Sequence, residues 1–403
     1  MDGRVGNETV NKTTFHSISM NMNSNNIPAS PKRRSVQITI TEKCNLDCIY
    51  CYEKNKDLRV LPLETIQQII TDAFAQCDKW DEIEFDFHGG EVALVFDTLK
   101  AACEWLWSKQ WPKPYLCFAT TNGTLIHGEI QEWFYQNREC FWLGLSLDGT
   151  PEMHNANRSN SYDKIDFDFF RRCWPKQPCK MTLSPLSLPT LAAGVKHIIG
   201  LGFDYTANLA YGVAWDERQL QIYAEQLSEL IQFYLDNPEL KLPHLLDMSM
   251  RTIGLYNFEP ERRDERHKWC GTGDAMVCYG CDGRKYPCQT FMPSVSERQQ
   301  EDLFEKLDFS NCENFDDPDC ADCVIKDVCP VCYGHNYIET GSLFKRPKDL
   351  CRFRKIEALA ASCVQGKMLL NYQAYKFTRD LTDYERKLTA QGVKLVQEAF
   401  GKE

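Results

Sequence analysis

Between residues 35 and 238 the apolar positions change period again and again. Residues 36–41 and 83–88 form short apolar runs, the second strictly alternating, and read as strands. Ile66, Ile69, Ile70, Ala73, Phe74 and Cys77 recur three or four apart, which puts them on one face of a helix. The same periodicities predict helices over 94–109, 129–136, 163–172, 188–201 and 217–235, and strands over 115–121, 141–147, 180–184 and 205–211. Six strand-helix units in alternation imply parallel strands joined by right-handed crossovers. A closed eight-fold barrel needs two more units. The expected fold class is therefore α/β, a partial (β/α)6 barrel of the TIM type over 35–238, with its chemistry at the C-terminal ends of the strands.

The flanking pattern differs. Residues 1–34 are polar, rich in Asn, Ser and Thr and without period, and predict a disordered arm. Residues 239–265 bridge to a small cysteine-rich domain over 266–357, where Asp282-Gly283 is a hairpin turn signal between two strand-like flanks. Residues 358–403 are charged and helical in period.

Composition narrows the class. At 403 residues the chain can bury two cores, and its net charge of -11 is interspersed, with no basic footprint for nucleic acid. It has 20 cysteines but no apolar signal segment at its start and no apolar run of membrane-spanning length. Clustered thiols without a secretory signal read as metal ligands in a reducing compartment, so no nucleic-acid or membrane partner is expected and the cytoplasm is.

The most informative stretch is Cys44-Asn-Leu-Asp-Cys48-Ile-Tyr-Cys51, directly after the first strand. One short loop can offer three soft thiolates to three corners of an iron-sulfur cube. The fourth iron then lacks a protein ligand and can bind a small molecule, as an open catalytic metal site does. The competing reading is zinc, but no second Cys or His pair follows before Cys77. After the second strand comes His88-Gly89-Gly90-Glu91, two permissive glycines and a carboxylate suited to an ammonium. Further on stand Cys270, Cys288, Cys320-x2-Cys323-x5-Cys329-x2-Cys332 and Cys351. Cys77, Cys103, Cys117, Cys140 and Cys173 fall on predicted helix faces or strands and read as buried thiols.

Cys44-x3-Cys48-x-Tyr50-Cys51 with Gly89-Gly90-Glu91 resembles the radical S-adenosylmethionine (SAM) enzymes, and the later cysteine series resembles their SPASM extension, found in ribosomal-peptide maturases and anaerobic sulfatase maturases. The resemblance implies a [4Fe-4S] cluster on Cys44, Cys48 and Cys51 whose open iron chelates SAM. Reductive cleavage would then give methionine and a 5′-deoxyadenosyl radical that takes a hydrogen atom from the substrate. It puts Tyr50 against the adenine, Gly89, Gly90 and Glu91 at the methionine amino group, and Ser146 and Asp148 near the ribose. Thr182, Ser184 and Asn208 are strand-end polar residues that either face SAM or only cap their strands. The resemblance also implies two auxiliary [4Fe-4S] clusters, one on Cys320, Cys323, Cys329 and Cys351, the other on Cys270, Cys288 and Cys332. Cys278 or Cys281 completes the latter, or it stays open.

The implied partners are a precursor peptide or protein and a low-potential electron donor of the flavodoxin or ferredoxin type. The first functional expectation is oxidative crosslinking of a ribosomally made peptide. The second is formylglycine formation, for which that subfamily uses an Asp base where this chain has Gln289. A non-enzymatic iron-sulfur carrier or zinc protein is the third, and it would have no use for a SAM pocket. The acid or base of the reaction is not identified by the sequence.

Overall fold

In a computed structural model of the chain, residues 31–262, 268–296 and 303–401 are described. Residues 1–30 of the arm expected over 1–34 lie outside them, as do residues 263–267 at the junction of the expected bridge and cysteine-rich domain. The first half alternates as its periodicity predicts: β1 (Arg33–Thr41), α1 (Leu63–Ala75), β2 (Glu82–Gly89), α2 (Phe96–Trp107), β3 (Tyr115–Thr121), α3 (Gly128–Gln136), β4 (Phe141–Leu145), α4 (Pro151–Asn157), α5 (Phe167–Cys173), β5 (Cys179–Leu183), α6 (Leu191–Gly200), β6 (Tyr205–Leu209) and α7 (Glu217–Asp236). Neighbouring strands pair in parallel from β1 to β4, β5 pairs with β6, and a single parallel bridge from Ser146 to Lys180 joins the two segments. The expected partial barrel is therefore present.

Its outer layer is built by the helical stripe. Ile66, Ile69, Ile70, Ala73 and Phe74 of α1 are buried in one core with Ile83, Phe85 and Phe87 of β2, and the Phe74 and Phe85 rings meet edge to face at 5.5 Å. Each such aliphatic or aromatic side chain contributes about 1.5–3 kcal/mol when fully buried. The opposite face of β2 carries Glu84, Asp86 and His88, so the barrel interior is polar.

The second half departs from the expected separation into domains. After α8 (His244–Asp247) and α9 (Met250–Phe258) comes the hairpin β7 (Met276–Tyr279) and β8 (Lys285–Tyr286), antiparallel as Asp282-Gly283 predicts. Yet β7 also pairs in parallel with β1 over Ser35–Ile38, so the cysteine-rich region extends the barrel sheet at its open edge. An edge strand left bare would be a pairing hazard, and β7 covers it. Next come α10 (Leu303–Lys306), α11 (Tyr333–Thr340), α12 (Lys348–Leu370), α13 (Lys376–Arg379) and α14 (Asp383–Phe400).

Two element bounds differ from the expected ones. β1 begins at Arg33, inside the segment expected to be disordered, because Arg33 pairs with Glu82 in the sheet and by a 2.6 Å ion pair. The break placed at 357/358 falls inside α12, which starts at Lys348. The bridge is packed into a core. Met248, Met250 and Ile253 share a core with Ile325, Val328, Ala358, Ala361, Val393 and Val396. Helices α9 and α14 cross so closely that a Cβ on Gly254 would lie 2.0 Å from the Leu388 carbonyl oxygen. Among the expected buried thiols, Cys77, Cys103, Cys117 and Cys173 are buried, while Cys140 is half-buried because it sits in the turn before β4, its N–H donating to Asn137 O.

Candidate radical and cluster sites

The loop between β1 and α1 is held at the C-terminal mouth of the barrel by its neighbours. The Asn45 side chain donates to Thr124 Oγ1 at 2.8 Å and accepts from Asn122 Nδ2 at 2.9 Å. The Asp47 N–H donates to Ser159 Oγ at 2.9 Å and the Ile49 N–H to Asn157 O at 3.1 Å. A tight turn, Cys51 N–H to Cys48 O at 3.0 Å, brings the last two thiols round. Cys44, Cys48 and Cys51 are all half-buried. Burial pushes the Cys48 thiol up to about 11, and the nearby Cys44 and Cys51 add to it. A thiol so raised needs a metal to become a thiolate, and three soft donors on one loop suit an iron-sulfur cluster with one open iron.

Gly89 and Gly90 end β2 against this loop. A Cβ on Gly89 would lie 2.3 Å from Thr41 O, and one on Gly90 would lie 2.4 Å from Lys43 O and 2.7 Å from Glu42 O. The glycines thus admit the backbone of the cysteine loop itself. Glu91 follows, 1% exposed, its N–H donating to Lys43 O at 2.8 Å. Its carboxylate accepts from Thr121 Oγ1 at 2.7 Å, Asn122 N at 2.8 Å and Ala93 N at 3.1 Å. Burial raises its pKa, against which the Asn122, Thr121 and Ala93 hydrogen bonds act. Among the described residues no cation pairs with it, which leaves a buried acceptor matched to an ammonium.

Asp148 is fully buried and its carboxylate takes five hydrogen bonds: from Tyr50 Oη, Asn157 Nδ2 at 3.1 Å, Arg158 Nε at 2.9 Å, Arg158 Nη2 at 3.2 Å and Thr182 N at 2.9 Å. It is filled by the protein, and so it sets the positions of Tyr50 and Thr182. The Arg158 guanidinium also lies over the Tyr50 ring, 5.4 Å from its centre. His154 receives the Asp148 N–H on Nδ1 at 3.3 Å and stands 3.0 Å from Ser161 Oγ through Nε2. Because the Ser161 hydroxyl donates to Arg158 O at 2.6 Å, His154 Nε2 carries the proton. Burial, and then Arg158, lower its pKa to about 4.

The remaining strand-end residues divide. Ser184 is buried, donating to Asn157 Oδ1 at 2.8 Å, and caps its strand within the protein. Ser146 is buried at the bridge to β5, its N–H donating to Thr121 O at 3.0 Å. Thr182 and Asn208 are register partners on β5 and β6, half-buried and exposed respectively, on the face shared with Lys180 and Thr206.

The later cysteines lie in two neighbourhoods. Cys320 lies near Cys323 and Cys351, and Cys329 near the same two. A cavity of about 270 Å³ lies against Cys320 and Cys329, and Arg346, whose buried Nε has no hydrogen-bond partner among the described residues, lines it. In the second set, burial pushes Cys332 up to about 12 and Cys270 up to about 11, with Cys288 close to each. Cys278 has Cys288 as a neighbour, its Sγ lying 3.6 Å from Thr39 Oγ1. Cys281 turns the other way and donates to Thr39 O at 3.2 Å. Among the described residues no three His, Cys, Asp or Glu side chains converge on a point that could hold one metal ion. A cube differs in placing each thiolate on its own iron.

Sequence reasoning missed the polar interior and its members. Asp86 accepts from Gln37 Nε2 at 3.2 Å, and Lys180 Nζ donates to Thr120 Oγ1 at 2.7 Å. Gln289, whose N–H reaches Gln37 Oε1 at 3.4 Å, has a buried Oε1 without a partner among the described residues. The strict alternation of β2 was a signal, since strands covered on both faces are usually apolar throughout. Helix α4 was also missed, although Thr150 caps it and Pro151 opens it.

The fold and the cysteine motifs resemble those of radical SAM proteins with a SPASM extension. Comparisons give its particular neighbours. Over 139 residues the chain is 29% identical to a cysteine-type anaerobic sulfatase-maturating enzyme of Clostridium novyi, covering 31% of this chain and 36% of the relative. The chain thus spans about a third of that relative's length. The structure of anSMEcpe with bound AdoMet superposes with a TM-score of 0.62 at 16% identity, over 84% of this chain and 98% of that one. Streptococcus suis SuiB bound to precursor peptide SuiA gives 0.52 at 18% identity, over 79% and 75%. No family model matches. No helix among the described residues is long and apolar enough to cross a membrane.

Proposed function

We propose that the protein is a radical SAM peptide maturase that oxidatively crosslinks a ribosomally made peptide. One observation carries the reading: three thiols on a loop at the barrel mouth stand beside a buried carboxylate, Glu91, that has donors but, among the described residues, no paired cation. When bound, the cluster and SAM supply a radical able to remove a substrate hydrogen atom. The chain's own residues do the rest. Cys44, Cys48 and Cys51 hold the cluster, Glu91 binds the amino group of SAM, and Asp148 fixes Tyr50 against it. Thr182 and Asn208 face the same space. Cys320, Cys323, Cys329 and Cys351 hold the outer auxiliary cluster, while Cys270, Cys288 and Cys332 hold the inner one. Cys278 is better placed than Cys281 to complete the inner set. A flavodoxin or ferredoxin type of donor would supply electrons.

Formylglycine formation is the second reading, favoured by the sulfatase-maturating relative. It needs a base at the substrate thiol or hydroxyl, and Gln289 has no titratable group. Mass spectrometry decides between the two. Anaerobic enzyme, SAM and dithionite are incubated with a small peptide encoded beside the gene and, separately, with a sulfatase-type cysteine peptide. The first reading expects a loss of about two hydrogens per crosslink in the former and no change in the latter. Conversion of the cysteine to an aldehyde would overturn it.

A further inference from the structure

Beyond the barrel mouth lies a cavity of about 290 Å³ between the loop after β6, helix α11 and the start of α12. Val213 and Trp215 line it from the loop, His335 and Glu339 from α11, and Asp349 and Leu350 from α12. Two contacts tie its walls to the barrel strands and to Cys332. The Ala210 N–H donates to Leu183 O at 2.8 Å, tying the loop to the end of β5 beside Thr182 and Asn208. Cys332 caps α11, accepting the His335 N–H at 3.4 Å, so the far wall begins at the inner cysteine set.

The chemistry of the lining is one-sided. His335 is 8% exposed, and neither ring nitrogen has a hydrogen bond among the described residues. Its ring packs on Tyr211 at 4.7 Å. Glu339 and Asp349 are in no ion pair among the described residues, whereas the nearby Arg352 and Arg354 are paired with Glu217 and Glu357. Asp349 Oδ1 accepts from the Leu350 N–H at 2.8 Å. Two carboxylates exclude an anionic occupant by repulsion, and among the described residues no metal-binding group of three is formed here. Val213, Trp215 and Leu350 are apolar walls of the kind that cover a methylene stem.

We propose that this cavity is a subsite for a lysine or arginine side chain of the peptide substrate, its charge facing Glu339 and Asp349 beside the His335 ring and its stem against Val213, Trp215 and Leu350. The proposal rests on the peptide-maturase reading and names a feature of the peptide. Binding of a fluorescent capped pentapeptide with a central arginine is compared with that of the same peptide carrying norleucine, on the cluster-loaded protein. The arginine peptide should bind about tenfold more tightly, a difference of about 1.4 kcal/mol. Glu339→Gln, at an exposed position that does not threaten folding, and Glu339→Gln with Asp349→Asn should bring the two affinities together. SAM cleavage without peptide should not change. Equal binding of both peptides to the unaltered protein, or an arginine preference that survives both variants, overturns the subsite. If the unaltered protein showed the arginine preference but did not cleave SAM, the subsite would stand and the maturase reading would fall.

Discussion

Replacing Asp148 by asparagine removes a charge from the most heavily bonded buried group at the mouth. The carboxylate is 0% exposed and the Arg158 beside it 7%, joined by a two-pronged pair at 2.9 and 3.2 Å. In Asp148→Asn the amide nitrogen would face N–H or O–H donors on one side, and Arg158 would keep a buried charge without a counter-ion. Breaking a buried pair from one side costs about 3–5 kcal/mol. Removing both charges should cost less than the sum, with a coupling of about 0.5–3 kcal/mol, as for other residues in one network. The assay is anaerobic urea unfolding of the parent, Asp148→Asn, Arg158→Met and the double variant, followed by circular dichroism. A loss under about 1 kcal/mol for Asp148→Asn, the level of an exposed pair, would refute the role of Asp148 as an organising hub. So would strict additivity in the double variant.

His154 makes stability pH-dependent. Its pKa falls from an ordinary 6.5 to about 4 in the fold, so the unfolded chain binds the extra proton first. Stability is then full above 6.5 and declines as the pH falls towards 4, by about 3 kcal/mol in total, and His154→Gln should flatten that slope in urea titrations at stepped pH. Glu91 has a raised pKa from burial, so SAM binding, read by equilibrium dialysis, should weaken on acidification sooner than an ordinary carboxylate would allow, and Glu91→Gln should weaken it at all pH values. Gly90→Ala must displace the Lys43 and Glu42 carbonyls, at a cost of about 1–3 kcal/mol for overpacking, and should lower iron loading of the first cluster as seen by absorbance. Arg346→Gln removes a cation from beside Cys320 and Cys329 and should lower the potential of the outer cluster alone in an EPR-monitored redox titration.

The sequence told much about the barrel because its signals are local. The stripe of α1, the alternation of β2 and the Asp282-Gly283 turn each act within a few residues, and each element forms where they predict. The thiol spacing of Cys44, Cys48 and Cys51 is likewise a property of one loop. What escaped depends on distant partners. That β7 pairs with β1 is a matter of contacts between residues such as Val36 and Val277, and no local period records it. Asp148 looked like a ligand contact, but residues from Tyr50 to Thr182 converge on it and fill its acceptors. The cavity at His335 likewise needs α11, α12 and the β6 loop to meet before its chemistry can be seen.

Release of 5′-deoxyadenosine tests the central claim most directly. Protein reconstituted anaerobically with iron and sulfide, then given SAM and dithionite, should bind about twelve iron atoms per chain, four per cluster, and release 5′-deoxyadenosine with methionine. Cys44→Ala, Cys48→Ala and Cys51→Ala should each bind about four fewer iron atoms and release none. Release that persisted in any of the three variants, or an unaltered protein that held stoichiometric zinc and left SAM intact, would contradict the assignment of this loop as the radical-generating site.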